Sequence, residues 1–138
     1  MTKIYKEFSE VKGEYVDDIP GQGRFGYALS DMDDFFEIED IIKHDGSYKG
    51  LVIRFYDYQT RNVYLPFEQK ENIGYGSPIF IDGFFYILQV DFNEGLANIY
   101  KYYPGASLDK IASYKTKDLS TYNLRLIGNE LHLISQDD

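Results

Sequence analysis

Apolar and polar positions in this 138-residue chain alternate, or cluster in runs of four to eight, between punctuating Gly, Asn, Asp and Pro. That rhythm belongs to strands, because alternate side chains of an extended backbone share a face. The pattern predicts strands near 3–8, 14–19, 26–31, 35–42, 50–58, 62–67, 77–82, 84–90, 96–103, 109–115, 122–127 and 130–135. Helical spacing is rare, although Tyr114 to Leu119 also suits one helical turn. The connections carry turn residues. Asp82-Gly83 and Gly128-Asn129 suit tight hairpins with positive φ, while Asp45-Gly46, Asn93-Glu94-Gly95 and Pro104-Gly105 suit wider ones.

The strands recur as a longer text. Asp82-Gly83-Phe84-Phe85-Tyr86-Ile87 echoes Asp33-Asp34-Phe35-Phe36-Glu37-Ile38 and, more weakly, Gly128-Asn129-Glu130-Leu131-His132-Leu133. Phe84 to Glu130 is 46 positions, Ile53 to Ile99 is also 46, and Phe35 to Phe84 is 49. A period in the high forties suits a four-stranded unit. At the start of the chain, Lys3-Ile4-Tyr5-Lys6-Glu7-Phe8 reads like Asn98-Ile99-Tyr100-Lys101-Tyr102-Tyr103, so the N-terminus matches the back half of a unit. The C-terminus matches a front half. On these residues the chain resembles β-propeller blades, without the Gly-His and Trp-Asp pairs of WD40 blades or the double glycine of kelch repeats. The resemblance implies an all-β fold of four-stranded meander repeats, three blades' worth of strands in one domain spanning 1–138. Its parts are a half-blade 1–23, blades 24–73 and 74–120, and a half-blade 121–138. The alternative for the same strands is a monomeric antiparallel β-sandwich or open barrel.

Closure gives the resemblance a physical consequence. Propellers have ~4–8 blades, so three blades' worth of strands does not easily make a ring. Isolated half-blades are marginal two-stranded ribbons with raw edges. A homodimer in which the N-terminal half-blade of one copy completes the C-terminal half-blade of another removes both problems and has two-fold symmetry.

Composition sharpens this picture. The aromatic content of 17%, from 14 Tyr and 10 Phe with no Trp, favours pleated surfaces where rings pack across strands. With 23 acidic against 14 basic residues the net charge is −9. Phosphate backbones are repelled by such a chain, so no nucleic acid is expected and a basic protein is the better partner. The chain has no cysteine, Met1 to Ser9 lacks an apolar signal core, and no stretch approaches the ~20 apolar residues that span a bilayer. A cytoplasmic protein with no membrane partner is expected.

Candidate chemistry is sparse. Asp31, Asp33, Asp34, Glu37, Glu39 and Asp40 form the densest acidic cluster, but they lack a calcium-loop pattern and read as a solvated hairpin turn and strand face. His44 reads as a turn residue and His132 as a strand residue, neither with a partner at metal-ligand spacing. Gly21-Gln22-Gly23 opens no helix, which excludes a dinucleotide loop, and reads as a link between units. Asp57, between Tyr56 and Tyr58, and Asp91, before Phe92, are the candidates for a carboxylate in an apolar setting, and both read as acceptors for turn or strand-end amides rather than catalysts. No catalytic residue, metal site or cofactor is expected.

Binding residues are better supported. Arg24, Phe25, Tyr27, Tyr75 and Tyr122 fall just before or at the first strand of each unit, and are expected to ring one mouth as ligand- or partner-binding residues. The competing role for these rings is packing between units. The function expected first is a non-catalytic protein- or ligand-binding module. An acidic inhibitor or immunity-type protein that covers a basic partner comes second, and a carbohydrate-binding or carbohydrate-cleaving module third.

Overall fold

The computed structural model describes residues 6–11, 15–128 and 131–135, which are mainly antiparallel strands. In chain order they are β1 (Lys6–Glu7), β2 (Asp17–Asp18), β3 (Phe25–Leu29), β4 (Ile53–Asp57), β5 (Asn62–Tyr64), β6 (Ile73–Tyr75), β7 (Ile79–Ile81), β8 (Phe84–Asp91), β9 (Leu96–Tyr103), β10 (Ser107–Lys115), β11 (Arg125–Ile127) and β12 (His132–Ile134), with one helix, α1 (Phe35–Asp45), between β3 and β4. Parts of the expected strands 3–8, 14–19 and 130–135, and the second residue of the Gly128-Asn129 turn, lie outside the described residues.

The first sheet has the order β1-β5-β4-β3-β2. The second runs β10-β9-β8, with β6 and β7 both on the remaining edge of β8: Ile73 pairs with Asp91 at one end and Ile81 with Phe84 at the other. Asp82 and Gly83 make the two-residue turn between β7 and β8 with φ of 49° and 87°, the double left-handed conformation that the sequence anticipates. β11 and β12 form a separate two-stranded sheet. The N-terminal strands pair with their own chain, β1 with β5 and β2 with β3. Among the described residues no set of sheets closes into a ring. The Tyr114–Leu119 segment ends β10 and then makes a single 3-10 turn at Thr116–Asp118.

One expectation is overturned. Residues 35–42 are helix, and the sequence contains the reasons. Asp34 is a helix N-cap: its Oδ1 accepts from the Glu37 amide at 2.8 Å, and its own amide donates to Glu37 Oε1 at 3.1 Å. Such a reciprocal cap stabilises a helix start by about 1 kcal/mol. Phe35, Ile38, Ile41 and Ile42 repeat at helical spacing and pack inward. Gly46, with φ of 89°, ends the helix, so Asp45-Gly46 is a helix terminus and not a hairpin. His44 lies in the last helical turn, bonded to the Asp40 carbonyl at 2.9 Å. The echo of Asp82-Gly83-Phe84-Phe85 in Asp33-Asp34-Phe35-Phe36 is a likeness of letters that capping overrides.

Side-chain alternation divides the interior into layers. Phe25 and Phe55 of the first sheet meet Phe85 of the second at ring-centroid distances of 5.6 and 5.4 Å, and Phe55 meets Tyr102 at 4.9 Å. This shared core also takes in Ile53, Ile73, Ile87 and the helix residue Ile38. The opposite face of the second sheet, with Leu88, Val90, Ala97 and Ile99, is covered by Phe35 and by Leu124 and Leu126 of the terminal hairpin region. The opposite face of the first sheet, with Ala28, Tyr56 and Val63, is covered by Phe8, Val11 and Val16. Helix α1 approaches the β6 edge at Gly74, where an added Cβ would lie 2.6 Å from the buried Ile38 Cδ1. No helix among the described residues is long and apolar enough to cross a membrane.

Candidate functional site

β3 alternates Phe25, Tyr27 and Leu29 toward the shared core, and the segment that follows, Ser30 to Asp34, carries the chain to the start of α1. Ser30 anchors that segment: its amide donates to the Val52 carbonyl at 2.9 Å, and its hydroxyl accepts from the Val52 amide at 2.8 Å. Beyond it, Tyr15 and Asp17 approach from the β2 side. The result is a recess of about 700 Å³ lined by Tyr15, Asp17, Tyr27, Leu29, Asp31 and Met32. That is within the range of binding pockets, ~300–1,000 Å³. Tyr15 is 81% exposed and Met32 96% exposed, large apolar groups that the fold leaves in water.

The carboxylates of the recess are held differently. Asp31 accepts from Lys49 Nζ and from the Met32 amide, both at 2.8 Å, and the Lys49 hydrogen bond in particular holds it below the ordinary carboxylate value. Asp17 is exposed on β2. A second recess of about 320 Å³ shares Leu29 and Met32 with the first and continues over Phe35, Ile79, Leu124 and Leu126. Between them lies a hydrogen bond of 2.8 Å from the Tyr27 hydroxyl to Ser77 Oγ. Asp33 and Asp34 at the rim of this second recess are committed, Asp33 to the Tyr48 hydroxyl at 2.9 Å and Asp34 to its helix cap.

The five residues singled out from sequence do not share one mouth. Arg24 grips Asp57, with Nε at 3.1 Å from Oδ1 and a terminal guanidinium nitrogen at 2.8 Å from Oδ2. Phe25 is buried edge-to-face against Phe85 and Tyr103. Tyr27 lines the larger recess. Tyr75 forms part of the wall of the second but is buried, and burial pushes its hydroxyl up to about 12. Tyr122 stands elsewhere, edge-on to Phe36 at 5.7 Å, in a recess of about 360 Å³ with Glu39 and Thr121. The structure thus brings Tyr27 and Tyr75 to adjoining recesses and sets the other three apart.

Tyr75 also ends a polar ladder that sequence reasoning missed. Across β6, β8, β9 and β10, Gln89 donates to Tyr75 at 3.3 Å, Asn98 to Gln89 at 3.0 Å and Ser113 to Asn98 at 2.5 Å. The register shift between Lys110 and Ala112 accompanies it, with Ser113 opposite Asn98. The groove residues Tyr15, Asp17 and Met32 were also missed. The one available signal was Met32, an apolar side chain within the polar run Ser30 to Asp34.

The acidic cluster is dispersed rather than pooled. Asp31 bonds Lys49, Asp33 bonds Tyr48, Asp34 and Glu37 form the helix cap, and Glu39 accepts from Thr121 at 2.9 Å. It is a set of tethers and caps, not the solvated hairpin turn expected. Among the described residues no three His, Asp or Glu side chains gather as metal ligands. Asp57 and Asp91 accept from turn amides as anticipated, from Gln59 at 2.9 Å and from Asn93 at 2.9 Å. No family model, curated protein or solved structure matches the chain.

Proposed function

We propose that this chain is a non-catalytic binding module and that the groove beside β3 receives a basic segment of a partner protein. The observation that carries this is one recess that combines exposed Tyr15, Met32 and Asp17 with Tyr27, on a chain of net charge −9. Tyrosine faces attract cations, carboxylates pair with them, and the negative field of the whole chain raises the encounter rate. Apolar groups held in water beside those charges supply area that a partner can bury. An acidic inhibitor that covers a basic enzyme is one form of this function.

The fold within this proposal is blade-like. One core lies between the first and second sheets and another between the second sheet and the β11–β12 hairpin, so three sheets stack in chain order. That succession is what supports the blade-like reading. Assembly of two copies through their chain ends is a separate proposal. β1 and β2 are seated on their own first sheet, so it turns on completion of β11–β12 by a second copy.

Fluorescence anisotropy with labelled arginine-rich and glutamate-rich peptides tests the function. The expected result is capture of the basic peptide alone, about tenfold weaker when salt rises from ~50 to ~500 mM, and weaker again in Asp17→Asn. Equal binding of the acidic peptide, or binding indifferent to Asp17, counts against it.

A further inference from the structure

We infer that the groove is bipartite: the larger recess takes a Lys or Arg side chain, and the adjoining one takes an aliphatic side chain a few residues away on the same extended segment. The inference rests on the binding function proposed above. The two recesses adjoin, because Leu29 and Met32 line both. Their chemistry differs. The larger has Asp17 exposed and is lined by the rings of Tyr15 and Tyr27, a setting for a cation. The smaller is walled by Phe35, Ile79, Leu124 and Leu126. Its rim charges are engaged locally, Asp33 by Tyr48, Asp34 by the helix cap and Arg125 by the Asn123 carbonyl at 3.0 Å. A neutral side chain fits there without stranding a charge.

The Tyr27–Ser77 hydrogen bond separates the two recesses, so the occupant is an extended chain that crosses it with one side chain on each side. Extended peptides are read in this way, by pockets for separate anchors on one backbone. The anchors differ in character: the cation gives steering and orientation, and the aliphatic group gives buried area.

Labelled peptides containing one Arg and one Leu separated by one to four Gly test this by anisotropy, each beside a control with Leu replaced by Gly. At one spacing Leu is expected to strengthen binding about tenfold. Ser77→Leu, at an exposed position lining the second recess, is expected to erase that gain, read as the ratio of each Leu peptide to its Gly control on the same variant, because the change also removes the Tyr27 hydrogen bond of the larger recess. Asp17→Asn is expected to weaken peptides with and without Leu alike. Circular dichroism melting checks that both variants fold. If Leu adds less than about twofold at every spacing while Arg-dependent binding persists, the bipartite inference fails and the simpler function stands. A Leu gain that survives Ser77→Leu also overturns it. Absence of Arg-dependent binding overturns both.

Discussion

The β4–β5 and β8–β9 hairpins close with loops of the same kind and use them differently. In each, the last residue of the first strand is a buried aspartate whose Oδ1 accepts two loop amides: Asp57 from Gln59 at 2.9 Å and Thr60 at 3.3 Å, Asp91 from Asn93 at 2.9 Å and Glu94 at 3.2 Å. The fourth loop residue is left-handed in both, with φ of 68° at Arg61 and 68° at Gly95. Only Asp57 gains a cation, the Arg24 guanidinium. Only the first loop puts a side chain at the left-handed position, where Arg61 lies 4.8 Å from the centroid of the Phe8 ring and its carbonyl accepts from the Phe8 amide at 3.1 Å. The second loop instead ties itself to the approach to β6 through Asn93, which donates to the Glu71 carbonyl at 2.8 Å. One turn chemistry therefore serves two fastenings. Arg24–Asp57 fixes the start of β3, whose later residues Tyr27 and Leu29 wall the groove, while Arg61 holds the N-terminal segment over the first sheet.

The largest expected effect distinguishes the two aspartates. Asp57→Ala removes turn bonds and the ion pair together and is expected to cost about 3 kcal/mol in denaturant unfolding, within the range for hydrogen bonds to buried charged groups. Arg24 keeps 39% of its side chain exposed and can return to water, which holds the loss below that of a fully buried pair. Asp91→Ala loses turn bonds alone and is expected to cost about 1–2 kcal/mol. Equal losses break the distinction. Next are the left-handed positions. Gly95→Ala is expected to cost about 1 kcal/mol because a Cβ is unwelcome at that φ. Arg61→Gly relieves the same strain but loses the Phe8 contact, and is expected to stay within about 0.5 kcal/mol of the parent. The smallest effect is in acid. Burial pushes Asp57 up, but the Arg24 hydrogen bond and the turn amides outweigh it, and its folded pKa falls below the ordinary 3.8. Its contribution is whole above roughly pH 5, where the unfolded carboxylate is fully ionised, and is lost as pH falls through the lower folded value. Unfolding titrations of Asp57→Asn are expected to lack that part of the acid limb.

Strands β7 to β9 of the second sheet were legible because they are apolar and aromatic runs bounded by turns, Asp82-Gly83 and Asn93-Glu94-Gly95, that admit few conformations. β6 was overlooked because Ile73-Gly74-Tyr75 is three residues with a central glycine, a strand that exists to let Ile38 pack close. The helix was misread because Phe35-Phe36 repeats the letters of Phe84-Phe85, although Asp34 and Glu37 three residues apart and Gly46 were visible markers of its ends. Tyr27 was found in the groove, whereas Tyr15, Asp17 and Met32 were not. Alternation predicts which residues face a core, but exposure at a junction of segments depends on tertiary placement. Arg24 and Phe25 suit binding by residue type, but the partners that engage them, Asp57 on the neighbouring strand and Phe85 on the facing sheet, lie 33 and 60 positions away.

Carbon-13 labelling of methionine methyl groups tests the groove most directly, since the chain has two methionines, Met1 and Met32, and Met32 lines both recesses. During titration with the Arg-containing peptide, the Met32 methyl resonance is expected to move in step with binding, and to move less in Asp17→Asn at peptide concentrations that saturate the parent. A Met32 signal that stays fixed while the peptide binds contradicts the assignment of this groove as the recognition surface.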